Sequence, residues 1–203
     1  MPGRLSWPMA MLILTAATAR ASDWRIDPAH TTLGFSVRHM MLNDVHGAFS
    51  GVEGTIHDDD NVARSSVEVV IDVASVDTRE PKRDAQLKSP DFFDAAKFPR
   101  MTFKSMRIER VGEDALSVTG NLEMHGVTRP ITLRVLFPRQ VVRDPVTGVR
   151  RRGATATATL MRKDYGLLWN RSVESGGVLI GDEVRINIDL ELTERTGANT
   201  PGR

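Results

Sequence analysis

Apolar and polar side chains alternate along most of this chain. At residues 33–39, Leu33, Phe35 and Val37 would share one face of an extended strand, and the residues between them the other face. The same alternation recurs at residues 67–73, 116–124, 131–137, 154–160 and 184–192, and residues 48–56 and 100–108 are compatible with further strands. About eight strands separated by turn signals, with few helical intervals, predict an all-β, antiparallel sheet that closes into a barrel or stacks as a sandwich.

A short interval between the strands has a different character. Residues 84–89 are compatible with a helix. Ser89 and Pro90 offer an N-cap and a proline at the first helical position, with acidic residues behind them. We therefore predict one or two short helices between residues 81 and 97, near one end of the sheet.

The N-terminal segment has the pattern of a targeting sequence. Arg4 precedes a mostly apolar run, residues 5–17, which is too short for the roughly 20 apolar residues that a bilayer core requires. Small-residue cleavage sites end at Ala19 and Ala21. We predict a signal peptide at residues 1–21, cleaved after Ala21, and hence export to the periplasm. Residues 22–194 would then form one barrel domain, and residues 195–203, which are poor in apolar side chains, a flexible tail.

Charge and cysteine content narrow the function classes. The chain has 27 basic and 26 acidic residues; without Arg4 and Arg20 of the predicted signal peptide, 25 basic residues face 26 acidic ones. A nearly neutral chain with interspersed charges offers no electrostatic surface to nucleic acid or to an anionic membrane. The absence of cysteine excludes disulfides and thiolate metal sites.

The sequence signals for catalysis or metal binding are weak. His30 and His39 are an odd number of residues apart and would face opposite sides of a continuous strand. The acidic run at residues 57–61 lacks the ligand spacing of a calcium loop, and acids are common in turns. The chain contains no G-x-S-x-G motif. We therefore predict no catalytic residue and no metal site.

Several ordered segments nevertheless resemble one known family. These segments are residues 24–40 with the motif Asp27-Pro-Ala-His30, residues 45–49, 83–99, 120–130, 162–167 and 176–184. Over nearly all of the chain that would remain after cleavage, the sequence resembles the YceI-like polyisoprenoid-binding proteins. Tyr165 and Met161 depart from the family pattern, in which a phenylalanine and a smaller aliphatic residue are expected.

The resemblance implies an extended, eight-stranded, lipocalin-like barrel with short helices near one end. It also implies a bound isoprenoid lipid as ligand and no other cofactor. Alternation alone does not decide this point, because an eight-stranded barrel can be filled by its own side chains. Small residues on facing strands, Gly120, Ala154, Ala156 and Ala158, favour a hollow interior. A homodimer, and a membrane cytochrome that receives the lipid, are partners that the sequence leaves open.

The candidate ligand contacts lie along the expected tunnel and at its mouth. They are Phe35, Val37, His39, Phe49, Val69, Ile71, Arg83, Asp84, Leu87, Phe92, Leu122, Leu133 and Trp169. Two roles stay open for the Arg83–Asp84 pair, which could orient a lipid head group or cap the start of the helix.

Three functions are compatible with this sequence. The first is a periplasmic carrier without enzymatic activity, whose barrel shields an isoprenoid chain from water. The second is an enzyme that acts on such a lipid, with His39, Arg83 and Asp84 converging at one end of the tunnel. The third is a filled structural barrel that mediates protein contacts, and it predicts that the barrel has no continuous cavity.

Overall fold

Twelve strands of one antiparallel sheet account for most of the structure, a computed structural model that describes residues 21–173 and 177–195. The strands are β1 (Ala21–Ile26), β2 (Thr32–His39), β3 (Asn43–Phe49), β4 (Val52–Asp59), β5 (Ser66–Asp72), β6 (Val76–Asp77), β7 (Arg100–Arg110), β8 (Ala115–Met124), β9 (Val127–Leu136), β10 (Val142–Arg143), β11 (Arg150–Met161) and β12 (Ile180–Glu194). The predicted signal peptide lies outside the described residues except for Ala21, as does the predicted tail except for Arg195.

The long strand β12 closes the sheet into a barrel. One edge of β12 pairs with β11 from Thr193 opposite Arg151 to Glu183 opposite Met161. Its other edge pairs with β1 and then with β2. The closed ring therefore runs β12, β11, β9, β8, β7, β5, β4, β1 and back to β12.

Three neighbouring strands of the barrel are bent at the same level. A one-turn 3-10 helix at residues 28–30 separates β1 from β2, residues 50–51 separate β3 from β4, and another 3-10 turn at residues 73–75 separates β5 from β6. β2, β3 and β6 continue the pairing of β1, β4 and β5. Each bent pair therefore acts as one continuous strand of the barrel wall, and we call each such strand or bent pair a stave. The predicted eight-stranded antiparallel barrel is confirmed.

The sequence patterns missed parts of these bent staves. Residues 48–56 were expected to form one strand, but the chain turns at residues 50–51, where the Asp72 N–H donates to the Gly51 carbonyl at 2.7 Å. The alternation also did not indicate β1 or β3. Both are short strands whose pairing with distant partners, and not their own pattern, defines them.

A single α-helix lies between β6 and β7 in the described chain, α1 (Pro81–Lys88). Glu80 caps it by accepting a hydrogen bond from the Lys82 N–H, and Pro81 occupies the first turn. The expected helix start at Ser89 and Pro90 is wrong. The Ser89 hydroxyl donates to the Gln86 carbonyl at 2.7 Å, so Ser89 ends α1, and turns follow it. No helix among the described residues is long and apolar enough to cross a bilayer.

Candidate functional site

A long apolar cavity runs through the barrel. Its volume is about 360 Å³, and inward-facing side chains of every stave line it. On β12 the lining extends from Ile180 to Leu192 through alternate residues, which corresponds to about 40 Å along the strand at roughly 3.3 Å per residue. Because barrel strands tilt by about 40°, the cavity is about 30 Å long along the barrel axis.

The end of the cavity beside α1 is its mouth. Among the lining residues there, Arg38 is exposed and His39, Trp169 and Ile180 are partly exposed, so the lining reaches solvent. Phe92 is buried and packs against the Trp169 ring, with the two centroids 5.2 Å apart. Aromatic side chains of the segment after α1 therefore narrow the opening without filling it.

Arg83 and Asp84 both hold Thr78, which is buried at the end of β6. The Asp84 carboxylate accepts hydrogen bonds from the Thr78 N–H at 2.8 Å and from its hydroxyl at 2.6 Å. Arg83 donates to the Thr78 hydroxyl oxygen and carbonyl, both at 2.8 Å. The pair thus fastens α1 to the barrel. Arg83 also borders the cavity, whereas Asp84 does not.

Arg162 is a buried cation at the mouth that sequence reasoning did not single out. It is only 3% exposed and donates to the carbonyl oxygens of Leu167, Trp169 and Gly181 at 2.5, 2.9 and 2.9 Å. It also pairs with Asp182 at 3.1 Å. Burial lowers the pKa of Arg162. These bonds fix the chain segment that carries Trp169, and only the Arg162-Lys-Asp motif of the family resemblance pointed to this region.

A second buried arginine lies at the opposite end of the barrel. The Arg152 guanidinium carbon lies 3.4 Å from the centre of the Phe137 ring, and the side chain donates to the Pro138 carbonyl and to Asp58, both at 2.7 Å. Burial lowers the pKa of Arg152, against the opposing effect of Asp58. Sequence patterns gave no signal for the burial of Arg152, because this residue lies in an ordinary basic run.

The small residues on the strands contribute unequally to the hollow interior. Ala154 and Ala156 line the cavity, as the sequence predicted, whereas Ala158 does not. Gly120 does not provide space: a Cβ there would lie 2.8 Å from Cε2 of Phe103, so this ring already covers the glycine. The expectation for Gly120 is therefore wrong, because a neighbouring strand fills the gap.

The structure brings the candidate ligand contacts together around this cavity, with one exception. Those that line it are Phe35, Val37, His39, Phe49, Val69, Ile71, Arg83, Leu87, Phe92, Leu122, Leu133 and Trp169. Asp84 is the exception, because its carboxylate faces Thr78. That these residues contact a ligand stays a prediction.

One group of described residues has the composition of a metal site. Side-chain atoms of Asp27, His30 and Glu191 lie within 4.8 Å of one another. Arg151 Nη1, however, lies 2.6 Å from both carboxylates and lowers the pKa of Asp27 through its hydrogen bond. The guanidinium thus occupies both carboxylates and offsets part of their negative charge. His30 belongs to the 3-10 turn and not to a strand, so the strand-face argument does not apply to it.

The acidic run at residues 57–61 is held within the chain. His57 pairs with Asp23 at 2.8 Å, and Asp59 pairs with Arg64 at 2.8 Å. The Asn61 side chain accepts from the Ala63 N–H and caps a short 3-10 turn. These contacts describe an ordinary turn between β4 and β5.

Comparison with known proteins places this barrel in a family. The YceI-like domain profile matches residues 24–192. Protein YceI of Salmonella newport strain SL254 is 34% identical over 166 residues, which cover 80% of this chain and 85% of that protein. The crystal structure of a Campylobacter jejuni YCEI protein is 29% identical, with a TM-score of 0.65, and the match covers 84% of this chain and 97% of that one.

A polyisoprenoid binding domain from Saccharophagus degradans shares the fold. It has a TM-score of 0.65 and 20% identity, over 85% of this chain and 98% of that one. The profile match spans nearly the whole barrel, from β1 to β12. Independently, the Salmonella relative is identical at more than a third of the aligned positions. This chain belongs to the YceI-like family.

Proposed function

We propose that this protein is a periplasmic binding protein that carries a long-chain isoprenoid lipid, a polyprenyl chain or an isoprenoid quinone, and catalyses no reaction. The observation that carries the proposal is a cavity about 30 Å long and apolar along every stave. Such a lining removes hydrocarbon from water at about 25 cal/mol per Å² and requires no specific hydrogen bond. The Saccharophagus domain, a polyisoprenoid binding domain of the same fold, supports this ligand class.

The small volume of the cavity bears on how the lipid is held. Its volume lies near the lower end of the range of about 300–1,000 Å³ for ligand pockets. Met101 and Met124 line it, and their unbranched side chains can change rotamer to admit a chain. Affinity should therefore rise with the length of the hydrocarbon chain until the barrel is filled, whereas the head group should matter less.

The two alternative functions have less support. A filled structural barrel predicts no continuous cavity, yet the described residues enclose one. An enzyme built on His39, Arg83 and Asp84 would need these groups to face the substrate. Arg83 and Asp84 are instead both bonded to Thr78, and Asp84 lies outside the lining.

The decisive experiment is native mass spectrometry of the protein recovered from the periplasm of its host, followed by organic extraction. We expect one prenyl lipid per chain, unchanged after long incubation, and an N-terminus at Ser22. Delipidated protein is then titrated with polyprenols of increasing length. Protein that is recovered bare and takes up neither polyprenols nor isoprenoid quinones contradicts the proposal.

A further inference from the structure

Exposed apolar side chains surround the mouth of the cavity. Met41 is 59% exposed and Leu42 is 74% exposed, both at the tip between β2 and β3, and Leu168 is 65% exposed on the segment that follows Arg162. Met40 and Val178 are less exposed neighbours. Single exposed apolar residues are ordinary, but a contiguous group around an opening marks an interaction surface.

Hydrogen bonds join the parts of this surface into one rim. The Met40 N–H donates to the Leu179 carbonyl at 2.8 Å, and the Leu179 N–H donates to the Arg171 carbonyl at 2.8 Å. The Asn170 side chain bonds both the N–H and the carbonyl of Ile180. We call the surface formed by Met40, Met41, Leu42, Leu168, Trp169 and Val178 the mouth rim.

The backbone holds the tip of the rim in a form that apolar residues rarely adopt. Met40 and Met41 have φ angles of 50° and 60°, in the left-handed region that favours glycine and asparagine. Two methionines and a leucine thus occupy a turn in which polar residues are usual. The tip points its apolar side chains into solvent at the cost of both backbone strain and hydrophobic exposure.

The charged groups that flank the rim are paired within the chain. Asp44 bonds Arg38 at 3.4 Å and Arg185 at 2.5 Å. On the other side, Asp182 pairs with both Arg162 and Lys163. The rim therefore presents hydrocarbon flanked by four basic side chains that share two carboxylates, a composition that suits the interfacial region of a bilayer. Trp169, with the Arg171 guanidinium 5.7 Å above its ring, has the amphipathic character of interfacial anchors.

We propose that the mouth rim docks the barrel onto the surface of a lipid bilayer, with Met41, Leu42 and Leu168 inserted among the acyl chains. The mouth then faces the membrane, and a lipid passes between bilayer and barrel without crossing water. The proposal rests on the proposed function for the cargo, but the docking contact itself does not require a bound lipid. Since insertion is hydrophobic, docking should persist at high salt, although salt screens the attraction of the excess basic side chains to anionic lipid.

The test is flotation with vesicles of phosphatidylethanolamine and phosphatidylglycerol. We expect the full chain after cleavage to float with the vesicles at low salt and to remain bound, with a lower bound fraction, at high salt. The double variant Leu42→Glu/Leu168→Glu should lose at least about tenfold in bound fraction, since an inserted carboxylate must be desolvated. The matched control is Val146→Glu, because Val146 is 91% exposed at the opposite end of the barrel; it should float like the native protein.

A second measurement separates docking from cargo binding. Radiolabelled polyprenol is offered either in detergent or in the vesicles. The double variant should bind detergent-delivered polyprenol like the native protein but take it up from vesicles at least about tenfold more slowly. If the native protein floats and the double variant does not, yet neither binds polyprenol in detergent, the docking proposal stands and the proposed function fails.

Three outcomes overturn the docking proposal. The first is a native protein that binds polyprenol in detergent but does not float. The second is a double variant that floats as well as the native protein, or a Val146→Glu control that fails equally. The third is a native dimer in sedimentation velocity that the double variant dissociates while vesicle binding is absent, which would assign the mouth rim to a second copy of the chain.

Discussion

The Arg152 guanidinium lies against the face of the Phe137 ring, 3.4 Å from its centre, at the barrel end remote from α1. Arg152 is 8% exposed, and its charge is compensated by Asp58 and by the carbonyls of Pro138 and Phe137. Removal of a buried cation leaves these acceptors unsatisfied. The contacts among Asp58, Phe137 and Pro138 at this end of the barrel thus depend on Arg152.

We expect Arg152→Met, which keeps an unbranched but shorter side chain and removes the charge and its hydrogen bonds, to lower the free energy of unfolding by about 2 kcal/mol. Urea denaturation measures the change. Arg139→Met is the control, because Arg139 is exposed on the loop that carries Phe137 and Pro138 and should change stability by less than about 0.5 kcal/mol. Equal losses of unfolding free energy for the two variants would contradict the stabilising role of the Arg152 contacts.

A second prediction concerns the cavity wall on β11. Ala156 faces the cavity and is 3% exposed, whereas Thr157 beside it faces solvent. Ala156→Phe should fill part of the tunnel and weaken polyprenol binding at least tenfold, which corresponds to about 1.4 kcal/mol. Thr157→Phe adds the same ring outside the barrel and should leave affinity unchanged. Titration of delipidated protein tests both, and unchanged affinity of Ala156→Phe would argue against binding inside the barrel.

A third prediction follows from the contact of Phe35 with Gly47. A Cβ at Gly47 would lie 2.8 Å from both Cε1 of Phe35 and Cγ2 of Thr78. Gly47→Ala should destabilise the protein by about 1–3 kcal/mol through overpacking. Phe35→Leu in the same chain should recover part of this loss, since it frees the space.

Gly153→Ala is the control for this substitution. A Cβ at Gly153 meets nothing closer than the Leu190 carbonyl oxygen at 4.0 Å, so its effect should stay within about 0.5 kcal/mol. Thermal or urea unfolding compares the variants. If the stability losses of Phe35→Leu and Gly47→Ala add up in the double variant, the Phe35 ring is not the cause of the destabilisation by Gly47→Ala.

A fourth prediction concerns acid stability at the turn after β10. Hydrogen bonds from the Thr147 and Val146 N–H groups, and then from Arg151, lower the pKa of Asp144 from 3.8 to about 2. Because the folded-state pKa is depressed, the stabilisation is fully present above pH 3.8 and disappears as pH falls through about 2. Asp144→Asn should therefore lower the free energy of unfolding at neutral pH. In this variant the free energy of unfolding should also fall less steeply between pH 3.8 and about pH 2.

Urea denaturation across that pH window tests the prediction. Asp60→Asn serves as a comparison, because Asp60 is also an exposed carboxylate between two strands, β4 and β5. If Asp144→Asn and the native protein lose stability with the same slope, the depressed pKa of Asp144 does not contribute to folding.

A fifth prediction separates the two roles left open for the Arg83–Asp84 pair. Asp84→Ala removes both hydrogen bonds to Thr78 and should destabilise the docking of α1 by about 1–2 kcal/mol. Hydrogen exchange in α1 should accelerate, while polyprenol affinity measured at full folding should stay unchanged. Asp91→Ala, at an exposed acid beyond α1, is the control. A head-group role would instead appear as lost affinity with normal exchange.

The sequence by itself determined the strands that alternate, as in β2 and β12, because a period of two is a local property of the chain. It also determined the antiparallel all-β class, whereas the closed barrel and the family followed from its resemblance. It could not place the bends at residues 28–30, 50–51 and 73–75, since these bends depend on hydrogen bonds between neighbouring staves.

Only the tertiary structure decided whether the barrel is hollow. Gly120 looks as small as Ala156 in the sequence, but the Phe103 ring from the adjacent strand covers Gly120 while nothing fills the space beside Ala156. Burial of Arg152, the engagement of Asp84 by Thr78, and the exposure of the methionines at the mouth are likewise non-local. Each depends on which distant side chains meet when β12 closes the sheet, and a pattern along one strand holds no information about its partners.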